Sequence, residues 1–130
     1  MATFSIISLG CPRNLVDSEY IINKLHKEGL QFKQDIEGVD IAIINTCGFI
    51  KEAKEEAIDI ILDVVDLKKK GRVKKIIVGG CLGQRYGREL MEEIPQLDAV
   101  MGINWDQILD VIKNFNEKKI LKVRRERKLL

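Results

Sequence analysis

Asp40-Ile41-Ala42-Ile43-Ile44-Asn45 runs directly into Thr46-Cys47-Gly48. The stretch is short, apolar at successive positions and rich in isoleucine, which reads as a strand buried on both faces. Two further stretches have the same form: Phe4-Ser5-Ile6-Ile7-Ser8-Leu9 ahead of Cys11, and Lys75-Ile76-Ile77-Val78-Gly79-Gly80 ahead of Cys81. A helical pattern follows each. Strands alternating with helices in this way predict an α/β fold, with a parallel sheet and helices on both faces. Every cysteine of the chain then falls at the C-terminal end of a strand, the edge at which open α/β sheets bind ligands.

The remaining segments extend this plan. The first helix is expected after Asn14 as N-cap, with Asp17 and Glu19 in its opening turns and Leu15, Ser18, Ile22 and Leu25 as its inward stripe. Gly29 ends it, and a short strand covers Leu30 to Lys33. The second helix runs from about Lys51 to Lys70, burying Ala53, Ala57, Ile61 and Val64 or Val65, and Gly71 stops it. The third, about Leu82 to Glu93, buries Tyr86, Leu90 and Ile94 before Pro95. Asp98 to Met101 is a further strand, and Asn104 with Gln107 reads as a capping-box variant opening a last helix to about Phe115. Ile120 to Val123 reads either as an edge strand or as the start of a linker. A flavodoxin-like, doubly wound sheet of about five strands in the order 2-1-3-4-5 makes neighbours of the three strands that precede Cys11, Cys47 and Cys81. Adjacent strands lie about 4.8 Å apart.

With 130 residues, 45% of them apolar and 32% charged, the chain has the balance of a soluble globular domain. No apolar run approaches the roughly 20 residues that span a membrane. The N-terminus lacks a charged n-region followed by an apolar h-region, so a cytoplasmic, reducing location is expected. Three cysteines cannot complete a set of disulfides. Charge is uneven: Lys118, Lys119, Lys122, Arg124, Arg125, Arg127 and Lys128 face a single acid, Glu126, at the C-terminal end. Such a tail suits a solvated linker. No basic stripe interleaved with aromatics runs through the body, so nucleic-acid contact is not expected of this domain.

Three thiolates at one sheet edge suit a metal or an iron–sulfur cluster with one coordination position left open. Packed cysteines and zinc are the chemical alternatives, and the single histidine, His26, sits in a helix as a surface residue. A flavin phosphate site is disfavoured: Gly10-Cys11-Pro12-Arg13-Asn14 contains a proline where an anion needs N–H donors.

The three neighbourhoods are also specific in wording. Ser8-Leu9-Gly10-Cys11-Pro12-Arg13-Asn14-Leu15-Val16-Asp17-Ser18-Glu19, Asn45-Thr46-Cys47-Gly48-Phe49-Ile50 and Gly80-Cys81-Leu82-Gly83-Gln84-Arg85-Tyr86 resemble, in that order, the N-terminal domain of radical-SAM methylthiotransferases. The resemblance covers about residues 3–123. It implies that Cys11, Cys47 and Cys81 bind an auxiliary 4Fe–4S cluster with one iron free to carry the transferred sulfur. Gly-Cys-Pro-Arg-Asn and Thr-Cys-Gly-Phe-Ile, followed by Ala53-Lys54-Glu55-Glu56-Ala57, are similar to the ribosomal-protein (RimO-like) branch more than to the tRNA-modifying branch. That branch methylthiolates the β-carbon of an aspartate in a small-subunit ribosomal protein.

The resemblance implies a second 4Fe–4S cluster and S-adenosylmethionine in a radical-SAM domain, whose C-x-x-x-C-x-x-C run this sequence lacks. Residues 1–123 are therefore expected to be the auxiliary-cluster domain and 124–130 a basic linker towards that domain. The fragment alone should hold the cluster and catalyse nothing. A stand-alone, non-enzymatic metal-binding module is the alternative of another class. Asn14, Asp17, Gln84 and Arg85 are the candidate cluster-pocket or substrate-channel residues, and Trp105 is expected only to pack.

Overall fold

The computed structural model describes residues 2–9, 12–46, 51–113 and 120–122, with the backbone alone at 12–15, 51–54, 81 and 120–122. Among them the chain forms β1 (Thr3–Ser8), α1 (Pro12–Lys27), β2 (Gln31–Phe32), β3 (Ile41–Thr46), α2 (Lys51–Lys69), β4 (Lys75–Gly80), α3 (Cys81–Glu93), β5 (Ala99–Met101), α4 (Ile108–Lys113) and β6 (Ile120–Lys122). All strand pairs are parallel, in the order β2-β1-β3-β4-β5-β6. The expected order of five strands is thus observed, and Ile120–Lys122 adds a sixth at the edge beside β5.

Period-two alternation sends each strand's side chains to two separate cores. Ala42, Ile44, Ile76, Val78 and Val100 pack against Ala57, Ile61, Val64 and Val65 of α2 and Leu82 and Leu90 of α3. Phe4, Ile41, Ile43, Ile77 and Ala99 pack against Ile21 and Leu25 of α1 and Ile108 and Val111 of α4. Two helices therefore cover each face, which is the doubly wound arrangement. Ile44, Ile61, Ile76 and Ile77 have no solvent exposure, and burying one such side chain stabilises the fold by about 1.5–3 kcal/mol.

Several local expectations shift. α1 begins at Pro12, so Asn14 lies in its first turn and is not its N-cap. Proline has a preset helical φ and no N–H to leave unsatisfied, which favours it at the first helical position over a later start. Asp17 consequently sits beyond the first turn, which holds no acid. Ile21 and Leu25 are the fully buried residues of the α1 stripe, with Ile22 only half-buried. At the other end, Gly29 N donates to His26 O and Leu30 N to Leu25 O, closing the helix with a Schellman pair. Gly71 (φ +77) ends α2 in the same manner.

The last helix is preceded by a 3₁₀ turn, Trp105–Gln107. Asn104 does not cap it in the expected sense. Its Oδ1 accepts from Gly102 N at 3.1 Å, and its Nδ2 donates to Gln107 Oε1 at 3.2 Å. α3 is kinked at Tyr86 (φ −124°, ψ 23°), where the side chain is half-buried.

The N-terminal edge of the sheet is fastened by two carboxylates. Asp40 accepts from Thr3 N at 2.9 Å and lies 3.3 Å from Lys74 Nζ. Asp98 accepts from Ile76 N at 2.9 Å and from Lys68 Nζ at 2.8 Å. The Thr3 N–H, opposed by desolvation and helped by Lys74, holds the Asp40 carboxyl below its usual pKa of 3.8. Among the described residues no helix is long and apolar enough to cross a membrane.

Candidate metal centre

The strands leading to the three cysteines are consecutive in the sheet, and their last residues are in register. Ser8 pairs with Asn45, Asn45 with Gly79 and Thr46 with Gly80. Thr46 and Gly80 directly precede Cys47 and Cys81. Because the strands are parallel, all three deliver the chain to one edge. Cys11 and Cys47 themselves lie outside the described residues, as do Gly10 and Gly48. Cys81 is the first residue of α3. Among the described residues no group of three histidine, cysteine, aspartate or glutamate side chains could hold a metal ion.

The ground beneath Cys81 is shaped by glycine. Gly80 has φ 95° and ψ −157°, a region that only glycine occupies readily. A Cβ there would come 2.5 Å from the Thr46 carbonyl oxygen and 2.8 Å from Asn45 Oδ1. Its N–H donates to Gly102 O at 2.9 Å, tying the end of β4 to the end of β5. A Cβ on Gly79 would enter the Trp105 indole, and one on Gly83 would strike the Met101 carbonyl oxygen. These close approaches hold the start of α3 down on the sheet, with its first N–H groups at the strand ends, where they favour a thiolate or an anionic group. Three adjacent parallel strand ends that lead into Cys11, Cys47 and Cys81, one of them opening a helix at Cys81, therefore fit a site built from these residues.

Of the four polar candidates, Gln84 is half-buried, with its amide against Gly102. Arg85 is exposed and Asp17 half-buried. The side chain of Asn14 lies outside the described part. Trp105 packs as expected, 3% exposed. His26 is exposed, in the last turn of α1. An open groove of about 470 Å³ lined by Tyr20, Asn23, Lys24, Lys27, Glu28 and Leu109 lies towards the end of α1 remote from Pro12, away from this edge.

Sequence reasoning missed one polar group beside the site. Ser18 Oγ hydrogen-bonds Ser8 Oγ and accepts from Asn45 Nδ2 at 3.3 Å. Thr46 Oγ1 donates to Gly79 O at 2.7 Å on the neighbouring strand. The signal was present: Ser18 interrupts an otherwise apolar stripe, and Asn45 ends an unbroken apolar run.

Comparison with known proteins identifies a family. The profile of the family described as "Uncharacterized protein family UPF0004" matches residues 3–102. The chain is 48% identical over 118 residues to the ribosomal protein uS12 methylthiotransferase RimO of Thermodesulfovibrio yellowstonii, covering 90% of this chain and 27% of that protein. The protein of the same name from Acetivibrio thermocellus is 48% identical over 115 residues, covering 88% and 25%. That from Clostridioides difficile is 45% identical over 118 residues, covering 90% and 27%. The chain thus spans about a quarter of the length of the curated relatives it matches.

Proposed function

The chain belongs to the UPF0004 family, as the N-terminal domain of a RimO-like methylthiotransferase, and from that premise we propose that it is the domain holding the sulfur-donating cluster. In this reading Cys11, Cys47 and Cys81 ligate an auxiliary 4Fe–4S cluster, residues 1–123 form the domain, and 124–130 lead to the rest of a longer cytoplasmic enzyme. The substrate class is that named for the relatives, ribosomal protein uS12, with an aspartate β-carbon as the acceptor. A second cluster and S-adenosylmethionine belong to the radical-forming domain of that longer protein.

The observation that carries the reading is the register of β1, β3 and β4, three adjacent parallel strands whose ends lead into the three cysteines. When bound, the cluster supplies an iron with an open coordination position for the sulfur to be transferred. The chain's own contribution is positional. Cys81 opens α3, so its thiolate is favoured by the helix N-terminus. Gly80 and Gly83 let the start of α3 approach the Thr46 and Met101 carbonyls closely.

Anaerobic reconstitution of the 130-residue chain with iron and sulfide tests the proposal. About four irons per chain are expected, with the broad visible absorption of an iron–sulfur cluster. Cys47→Ala should lose both while keeping the helical far-UV spectrum. Iron content unchanged in Cys47→Ala would refute the ligand assignment, and preferential zinc retention would point to a structural site.

A further inference from the structure

On the face covered by α1, three elements change character at the same level. The side chains of β1 on this face are Phe4, Ile6 and Ser8; those of β3 are Ile41, Ile43 and Asn45. Along α1, read towards its N-terminus, they are Leu25, Ile21 and Ser18. Each apolar series ends in a polar residue, and the three polar residues meet. Ser8 and Asn45 are register partners; Ser18 Oγ bonds to Ser8 Oγ and accepts from Asn45 Nδ2. Asn45 is 0% and Ser18 7% exposed.

Stability alone gives little reason for an amide and two hydroxyls here. Apolar residues of similar size would fill the space with no hydrogen bonds to satisfy. Local departures from the rule of an apolar interior concentrate at functional sites. What distinguishes the group is where it stands. Ser18 lies on α1, whose first residue, Pro12, follows Cys11 in the chain. Asn45 lies on β3, which continues through Thr46 into Cys47. Apolar packing such as that of Ile21 and Leu25 in this core tolerates sliding and rotation of the helix, whereas hydrogen bonds fix distance and direction.

We infer that Ser18, held between Ser8 and Asn45, is a positioning residue for the proposed cluster: a hydrogen-bonded strut that sets the Cys11 end of α1 against the β3 end leading into Cys47. The inference rests on the reading that these cysteines are ligands. Ser18 acts through the placement of the thiolates. With the strut removed, α1 remains anchored by Ile21 and Leu25, so the fold persists, but the first turn of α1 gains freedom relative to the end of β3.

The test is iron release from the reconstituted 130-residue chain to an excess of chelator, followed by the visible spectrum, with urea unfolding of the same proteins. Ser18→Ala should unfold cooperatively yet release iron about 10–100-fold faster than the unaltered chain, the range typical when support for metal ligands is lost. Ser18→Thr, which keeps the hydroxyl, should restore slow release. Ile21→Val removes a methylene from the same helix face without touching the hydroxyls, and should release iron at the original rate. Ser8→Ala, at a half-buried position, gives the same measurement should Ser18→Ala not fold. Unaltered release from Ser18→Ala, or equally fast release from Ile21→Val at matched stability, would overturn the strut. An unaltered chain that takes up no iron would overturn the cysteine assignment itself, and the strut with it.

Discussion

Replacing Gly80 with alanine should be far more damaging than the loss of flexibility alone suggests. The backbone there is at φ 95°, ψ −157°, and an alanine held in that region costs about 1–3 kcal/mol. The new Cβ would also stand 2.5 Å from the Thr46 carbonyl oxygen. That atom belongs to the backbone of a central strand and cannot rotate aside, so relief requires moving β3 or β4, at about 1–3 kcal/mol by analogy with overpacked cores. Restricting the unfolded chain returns about 0.4–1 kcal/mol. The net expectation is a loss of about 2–5 kcal/mol, a large part of the roughly 5–15 kcal/mol that holds a domain together. Gly71→Ala is the matched control: φ is +77°, but nothing lies within 4 Å of its Cβ, so only the backbone cost of about 1–2 kcal/mol applies, less the same unfolded-chain return. Urea unfolding followed by circular dichroism reads both as shifts in midpoint at constant slope. If the two substitutions cost the same to within about 0.5 kcal/mol, the close approach of Gly80 to Thr46 contributes nothing and the account of this edge is wrong.

Acid unfolding should reveal Asp40. Its carboxyl is held below 3.8 by the Thr3 N–H and Lys74, so its contribution is full above the unfolded-state value near 4 and is lost as pH falls through the lower folded value; Asp40→Asn should flatten stability against pH in that window, and an unchanged slope would rule the contribution out. Asp98→Ala leaves the Ile76 N–H without its acceptor and should cost about 1–3 kcal/mol in urea, whereas a loss below about 0.5 kcal/mol would mean that water replaces it. Trp105 is the one tryptophan of the chain and rests on Gly79 beside the strand end that leads into Cys81. Its fluorescence should be quenched when iron and sulfide are incorporated and should stay unquenched in Cys81→Ala.

The strands were readable because parallel strands covered on both faces have no polar alternation to obscure them: Ile41–Ile44 and Ile76–Val78 are apolar at every position. That the three strands leading into the cysteines are neighbours followed from the expected strand order. The start of α1 was misread because two local signals compete, a capping side chain at Asn14 and a preset φ at Pro12, and the backbone preference prevails. Whether Ile120–Lys122 was strand or linker depends on the free edge of β5, a tertiary partner that the segment's own residues do not specify. Ser18 shows the same limit inside the site. Its place in the inward stripe was legible, but its partner Asn45 is 27 positions away, and only the packing of α1 across β1 and β3 makes the pair.

The direction of β6 bears on how such a domain works within a longer protein. Lys122 pairs with Met101, one residue beyond the Val78–Val100 pair, so β6 ends level with Ser8, Asn45 and Gly79. An antiparallel last strand would hand the chain on at the opposite side of the sheet, the length of a strand away, about 20 Å for six residues. A parallel one hands it on beside the three cysteine-bearing ends. In proteins about four times as long, as the relatives are, the tether to whatever follows would start at the edge that leads into the three cysteines. A short tether then gives that partner a high effective concentration where the sulfur would be held.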